Sequence, residues 1–175
     1  HNASNLLLAF AAARTAGVSA ADAAEGLACL TLPEMRWAVS KREGITVVND
    51  AYNANPQSMI AVLRTFMQMP CDGRRIAVLG DMGELGAHAE ALHREVGRVV
   101  AALAPDEMIG VGPNTSRYVA DEAVKCGFPA ARMMCCADTA DAAAILRMRV
   151  RAGDNVLLKA SRKMELERVL DAWTV

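Results

Sequence analysis

The amino-acid sequence predicts an α/β fold in which a doubly wound, mostly parallel sheet is preceded by a helical hairpin. Three observations predict it: strand-like and helical segments alternate from residue 35 onward, the strands are short and apolar, and two segments of high helix propensity come first. The chain has 175 residues, a net charge of −1 and 53% hydrophobic residues. That composition is ordinary for one globular domain with an appendage.

The helical hairpin is the first predicted element. Residues 3–16 and 20–30 are rich in helix-favouring residues, and Gly17 and Ser19 separate them. Leu32-Pro33 then marks a break, because the residue before a proline disfavours the helical conformation. We therefore predict a domain boundary near Pro33, with 1–33 as the tail of a preceding domain and 34–175 as the last domain.

The last domain is predicted to begin with a β-hairpin. Two strand-like runs, 35–40 and 45–49, flank a turn at Glu43-Gly44. The elements that follow are a helix at 56–69, a strand at 75–80, a helix at 88–104, a strand at 107–111, a helix at 114–126, a strand at 132–136, a helix at 138–150, a strand at 155–159 and a helix at 162–172. Ligands of such sheets bind beyond the carboxyl ends of the strands, so the residues there are the candidates for a site.

Composition excludes several classes of function. A balanced charge and 4% aromatic residues argue against a nucleic-acid partner. No apolar run approaches the length of a membrane span, and the start at His1 looks like that of an excised fragment rather than a signal peptide. The five cysteines lack metal-ligand spacing, which predicts buried, reduced thiols in a cytosolic protein and no metal site.

Two loops after strands carry polar side chains. Asp50 opens the segment DAYNANP, where a carboxylate can accept two hydroxyl hydrogen bonds, as ribose recognition requires. Asn53 and Asn55 in the same segment are equally suited to capping the next helix. Asp81 lies in the segment GDMGELG, whose acids suit a cationic group, a metal or a solvated turn. The residues alone leave these alternatives open.

The two ends of the chain add further candidates. Lys159, Ser161 and Arg162 place two cations and a hydroxyl at a helix start, which favours binding of a carboxylate or a phosphate. Asn2 and Asn5 are suited to reading an adenine edge or to capping a helix. The absence of a GxGxxG segment gives a nicotinamide or flavin role no support.

Taken in order, these segments resemble those of the Mur ligase family. The resemblance is carried by His1-Asn2-x-x-Asn5, Gly26-Leu27, Arg36, Asp50-x-Tyr52-Asn53-Ala54-Asn55-Pro56, Val78-Leu79-Gly80-Asp81-Met82-x-Glu84-Leu85-Gly86, His93-x-Glu95-Val96-Gly97 and Lys159-x-Ser161-Arg162-x-Met164-x-x-Glu167. It covers essentially the whole chain. The segments at 50–56 and 80–86 are long and specific, and they are similar to those of members that add D-alanyl-D-alanine.

The resemblance implies an ATP-dependent ligase of cytoplasmic peptidoglycan precursor synthesis. Such enzymes have three domains, and the last is Rossmann-like and closes over the site. The reaction joins D-alanyl-D-alanine to UDP-N-acetylmuramoyl-tripeptide through an acyl phosphate, with ATP and Mg²⁺ bound mainly by the upstream domain. The implied partners are these two substrates and the protein's own N-terminal and central domains, without nucleic acid or membrane.

The resemblance also implies roles for individual residues. Asn2 and Asn5 would contact the adenine region of ATP, Arg36 its phosphates and Asp50 its ribose. The residues on the side of the incoming dipeptide would be Asn53, Asn55, Asp81, Lys159, Ser161 and Arg162. The phosphate loop and a carbamylated lysine belong upstream, so the chain holds no catalytic residue and is expected to be inactive alone.

One position departs from the family pattern, and two other functions remain open. Ala160 stands where the family usually has glycine, and a positive φ there would be unfavourable for alanine. The alternative functions are another Mur-type or folylpolyglutamate-type ligase domain and a non-catalytic, nucleotide-sensing module.

Overall fold

In a computed structural model of the chain, residues 2–30 and 34–171 are described, and they divide into two compact units on either side of Pro33. The first unit consists of α1 (Asn2–Thr15) and α2 (Ala20–Ala28). Gly17 between them adopts a left-handed backbone, with φ of +91°. The Ser19 side chain accepts a hydrogen bond from the N–H of Asp22 and thereby caps α2. The predicted helical hairpin is therefore present.

The second unit is a six-stranded sheet with helices on both faces. Its strands are β1 (Ala38–Arg42), β2 (Ile45–Asn49), β3 (Arg75–Gly80), β4 (Glu107–Val111), β5 (Met133–Cys136) and β6 (Asn155–Lys159). Its helices are α3 (Pro56–Gln68), α4 (Ala89–Leu103), α5 (Ala120–Lys125), α6 (Thr139–Arg149) and α7 (Arg168–Asp171). The strand order is β1-β2-β6-β3-β4-β5, with only β1 antiparallel to its neighbour. The predicted fold class is confirmed.

Two apolar layers cover the sheet, because successive side chains of a strand point to opposite faces. In β3, Ile76 and Val78 pack with α6 and α7, whereas Ala77 and Leu79 pack with α3, α4 and α5. The strands β3, β4 and β6 are buried along almost their whole length. A strand covered on both faces has no polar side to expose, which explains why the sequence shows continuous apolar runs there.

The last strand lies in the middle of the sheet. The chain builds β2, β3, β4 and β5 first and then returns, through α6 on the opposite face, to insert β6 between β2 and β3. Beyond β3 the chain enters α4 on one face, and beyond β6 it enters α7 on the other. This reversal of direction is the topological switch point at which ligands of doubly wound sheets bind.

Two predicted elements differ from those in the structure. The first strand begins at Ala38 rather than at residue 35, because Met35 and Trp37 have left-handed backbones, with φ of 59° and 56°. The helix predicted for 162–172 is replaced by a 3₁₀ turn, Arg162–Met164, and the short α7. Glu165, with φ of 46°, separates the two. Position 172 lies outside the described residues.

Ala160 fits its place without a left-handed backbone. It is absent from the described non-glycine residues that have positive φ, and its methyl group is completely buried. Gly80 lies opposite on β3, where a Cβ atom would come within 2.7 Å of the Ala160 Cβ. The two positions therefore share the space for a single methyl group.

Exchange of the two residues tests this shared space. Gly80→Ala is expected to lower the free energy of unfolding by about 1–3 kcal/mol, since overpacking strains a buried contact. The swap Gly80→Ala/Ala160→Gly is expected to recover most of that loss in urea denaturation. Gly83→Ala is the matched control, because its added Cβ meets Ser161 at an ordinary 3.5 Å. A swap as unstable as the single variant would contradict the shared space.

A network of ion pairs holds the amino edge of the sheet, opposite the candidate site. Arg74 contacts Glu107 at 2.9 Å and Asp154 at 2.7 Å, and Arg149 contacts Glu107 at 2.8 Å. The hydrogen bond from Arg149 lowers the pKa of Glu107. Burial alone would raise the pKa of Asp154, but hydrogen bonds from the side chain and N–H of Arg74 and from the N–H of Arg151 outweigh it and lower that pKa.

Acid is expected to destabilise the second unit through these carboxylates. Because their pKa values are lower in the folded than in the unfolded state, their contribution is complete above about pH 5 and is lost as pH falls through about 4 and below. Glu107→Gln is expected to make the acid-induced decrease in unfolding free energy shallower by at most about 1.4 kcal/mol per pH unit. Denaturation at a series of pH values measures this, and the exposed Glu95→Gln serves as control. An unchanged acid slope in Glu107→Gln would contradict the assignment.

Candidate functional site

The carboxyl edge of the sheet brings three loops together. We call residues 50–55, after β2, the Asp50 loop, and residues 81–85, after β3, the Asp81 loop. Between them lies the end of β6, where Lys159, Ala160 and Ser161 follow one another. Of the ten predicted site residues, six lie in these segments.

A buried ion pair joins the Asp50 loop to β6. The Lys159 ammonium lies 2.6 Å from Oδ2 of Asp50 and also donates to the backbone carbonyl oxygens of Asp50 and Asn53. The other oxygen of Asp50, Oδ1, accepts the N–H of Trp37 at 2.8 Å. Lys159 is 3% exposed and Asp50 9%, so both charges are largely removed from water.

Arg36 lies beside the Asp50 loop. Its guanidinium stacks over the Tyr52 ring, 4.4 Å from the ring centre. The flanking backbone is tied to the Asp50 loop on both sides, because Tyr52 donates its N–H to the Met35 carbonyl and Trp37 donates to Asp50. Arg36 forms no ion pair with the described residues, so its charge is available to an anion.

Asp81 ties its own loop to the segment after β4 and to the end of β6. Its Oδ1 accepts the N–H of Thr115 at 2.7 Å, and its Oδ2 accepts both the N–H and the side-chain amide of Asn114. Its backbone carbonyl accepts the N–H of Ser161 at 3.0 Å and the Ser161 hydroxyl at 2.8 Å. The Asp81 carboxylate and the Ser161 hydroxyl are therefore both engaged in hydrogen bonds within the protein. Their predicted contact with substrate stays a prediction.

The two asparagines of the Asp50 loop have different roles in the structure. The Asn55 side chain accepts the N–H of Ser58, and the Ser58 hydroxyl accepts the N–H of Asn55, which forms a capping box at the start of α3. The sequence left a binding role and a capping role open for Asn55, and in the structure it caps α3. The exposed Asn53 accepts the N–H of Ala54 through its oxygen, and its amide nitrogen has no partner among the described residues.

Three predicted site residues remain: Arg162, Asn2 and Asn5. Arg162 is half exposed and pairs with Glu167 at 2.5 Å. Asn2 begins α1 in the first unit, and Asn5 is exposed on the same helix. Their expected contact with adenine stays a prediction.

His93 is a site-supporting residue that spacing alone did not reveal. It is completely buried on α4, its Nε2 accepts the N–H of Met82 at 3.1 Å, and its Nδ1 contacts the Ala89 carbonyl at 2.7 Å. These contacts require a neutral imidazole with the proton on Nδ1. His93 thereby fixes the start of the Asp81 loop. The only sequence signal was its position in the family-like segment His93-x-Glu95-Val96-Gly97.

A second crevice lies at the end of β4 and β5. It is a cleft of about 270 Å³, lined by Gly112, Pro113, Ser116, Cys135, Cys136 and Ala137. Loss of hydration raises the pKa of Cys135 and, together with Asp141, raises that of Cys136 to about 11. The prediction of buried thiols was wrong: all five cysteines are free, but three are exposed and two are half-buried.

Neither a cluster of metal-ligating side chains nor a membrane-spanning helix is found in the part of the chain that the structure describes. Within residues 2–30 and 34–171, no three His, Cys, Asp or Glu side chains are grouped so as to bind a metal ion. None of the helices in those ranges has the length and apolar character needed to cross a bilayer.

The chain's similarity to known proteins agrees with this geometry. Residues 35–162 match the family model described as Mur ligase, glutamate ligase domain. The chain belongs to the Mur ligase family. It is 34% identical over 171 residues to the UDP-N-acetylmuramoyl-tripeptide–D-alanyl-D-alanine ligase of Bacillus subtilis, which covers 97% of the chain and 37% of that relative. The chain thus spans little more than a third of the length of the Mur ligase it matches.

Solved Mur ligases share the fold. MurF from Acinetobacter baumannii has a TM-score of 0.82 and 27% identity, over 99% of this chain and 37% of that one. The MurF ligase from Thermotoga maritima, solved in complex with ADP, has a TM-score of 0.72 and 28% identity, over 93% of this chain and 35% of that one. The predicted family resemblance is confirmed.

Replacement of Asn55 separates capping from other roles. Asn55→Ala is expected to lower the free energy of unfolding by about 1 kcal/mol, because the first turn of α3 loses its acceptor. Asn55→Ser should lose only a few tenths of that, because serine is also a good cap. Equal losses in the two variants, measured by urea denaturation, would contradict the capping role.

Proposed function

We propose that the chain is the closing domain of an ATP-dependent ligase that joins D-alanyl-D-alanine to UDP-N-acetylmuramoyl-tripeptide in cytoplasmic peptidoglycan precursor synthesis. The observation that carries the proposal is the placement of Arg36 beside the Asp50 loop, with its backbone bonded to that loop on both sides. Support comes from the relative that bears this name at 34% identity and from the neighbour solved with ADP. Residues 1–33 would then be the end of the central ATP-binding domain.

Arg36 and Asp50 fit the two polar parts of a nucleotide. Arg36 offers a planar guanidinium without a competing carboxylate, which suits a phosphate group. Asp50 uses one contact on each carboxylate oxygen, and a carboxylate has about four acceptor sites, so two ribose hydroxyls can still donate to it. Arg36 would act on the phosphates and Asp50 on the ribose.

ATP supplies the phosphoryl group that activates the carboxylate of the tripeptide, and Mg²⁺ offsets the charge of the phosphates. The upstream domain would hold the metal. The dipeptide amine then attacks the acyl phosphate, and phosphate leaves. Because an acyl phosphate hydrolyses readily, the site must exclude water, and closure of this domain would do so.

The dipeptide would be held by those residues at the carboxyl edge of the sheet whose polar groups are not fully used within the protein. The polar groups of Asp81, Lys159 and Ser161 form hydrogen bonds or ion pairs within the protein, and Asn55 caps α3. Arg162 is half exposed and can exchange Glu167 for the carboxylate of the dipeptide. The Asn53 amide nitrogen, which has no partner among the described residues, can donate to the dipeptide as well. We therefore assign dipeptide contact to Arg162 and Asn53, with the other four residues shaping the site.

Steady-state kinetics of the full-length protein tests the proposal. ADP release is expected to require both UDP-N-acetylmuramoyl-tripeptide and D-alanyl-D-alanine. Arg36→Ala and Asp50→Ala are each expected to lower kcat/KM roughly 10- to 1000-fold, since each removes a contact to the reacting nucleotide. The exposed Arg64→Ala on α3 is the matched control and should retain wild-type rates.

Other outcomes point to the alternative functions. ADP release without the dipeptide would exclude this ligase. Turnover with a diamino acid or glutamate in place of the dipeptide would indicate another Mur-type or a folylpolyglutamate-type ligase. Tight ATP binding by the isolated chain, without any turnover of the full-length protein, would favour a nucleotide-sensing module.

A further inference from the structure

We infer that Lys159 is a positioning residue for the nucleotide side of the site and not a receptor for the dipeptide carboxylate. The inference rests on the proposed function, because it assigns Lys159 to one of that site's two halves. Its basis is the direction in which the Lys159 ammonium points and the set of atoms that it contacts.

All three donors of the ammonium are used within one loop. Its partners are Oδ2 of Asp50 at 2.6 Å, the carbonyl oxygen of Asp50 at 3.3 Å and the carbonyl oxygen of Asn53. An ammonium has three N–H groups and no others, so no donor remains for a substrate carboxylate. Lys159 therefore holds the backbone of the Asp50 loop at two points and its carboxylate at a third.

Burial makes this arrangement difficult to exchange. Lys159 is 3% exposed, and a substrate carboxylate would have to displace Asp50 from a contact that is already closed. Removing either partner would leave an unpaired charge out of water, which is strongly unfavourable. The ion pair is therefore a fixed part of the protein and not a vacant binding position.

The ion pair also connects the centre of the sheet to the segment that carries Arg36. Lys159 ends β6, which hydrogen-bonds to β2 on one side and β3 on the other. Asp50 in turn accepts the N–H of Trp37, the residue next to Arg36. Loss of the ammonium would free the Asp50 carboxylate and, with it, the backbone that places Arg36.

The Michaelis constants of the two substrates distinguish the two roles of Lys159. In the full-length protein, Lys159→Met is expected to raise the KM for ATP roughly 10- to 100-fold. The KM for D-alanyl-D-alanine is expected to rise clearly less, by no more than about fivefold, because only Asn53 of the two dipeptide contacts is held by Lys159. Lys163→Met is the matched control, since Lys163 is exposed four positions along the same segment and should change neither constant. An increase confined to the dipeptide KM, or no increase in either, would overturn the inference.

A stability measurement covers the case in which Lys159→Met folds poorly. The single variant is expected to lower the midpoint of thermal unfolding by roughly 5–15 °C, because Asp50 is left charged and unpaired. Asp50→Asn/Lys159→Met is expected to recover at least about half of that loss, because it removes the unpaired charge. Additive losses would overturn the pairing. The unfolding midpoints are measured without substrates. If the wild-type protein released ADP without the dipeptide, the proposed function would be wrong, but the pairing of Lys159 with Asp50 would still be tested by the midpoints.

Discussion

The insertion of β6 between β2 and β3 is the constraint on which the rest of the second unit depends. Three consecutive residues at its carboxyl end each meet a different part of the structure. Lys159 pairs with Asp50, Ala160 packs against Gly80, and Ser161 donates to the carbonyl of Asp81. A strand at the edge of the sheet would have only one neighbour to organise. The central position lets one short segment set the spacing of two loops.

The two edges of the sheet use charge in different ways. At the amino edge, Arg74, Arg149, Glu107 and Asp154 neutralise one another. At the carboxyl edge, Lys159 and Asp50 also pair, but Arg36 remains without a carboxylate and Arg162 holds its partner in a half-exposed place. The positive charge of Arg36 and Arg162 thus lies at the edge where doubly wound sheets bind ligands, and it suits the phosphates and carboxylates of the proposed substrates.

Sequence patterns predicted the parts of the fold that local physics determines. The bounds of β3, β4 and β6 follow from short apolar runs, because strands buried on both faces show no polar alternation. Residues 35–37 looked like a strand, but Met35 and Trp37 have left-handed backbones, and both are bonded to the loop at 50–52, far along the chain. The pairing of Lys159 with Asp50 was equally inaccessible, since it depends on the strand order and not on either residue's neighbours in sequence.

The close contact of Gly80 with Ala160 changes how a family motif should be compared between proteins. A substitution of glycine in the last motif looks like the loss of a defining residue when that column of an alignment is considered by itself. Here the methyl group of Ala160 occupies the space that a Cβ atom at position 80 would need, and Gly80 leaves that space free. Positions 80 and 160 therefore form a single steric unit in this chain, and glycine at the first is what lets the second carry a side chain.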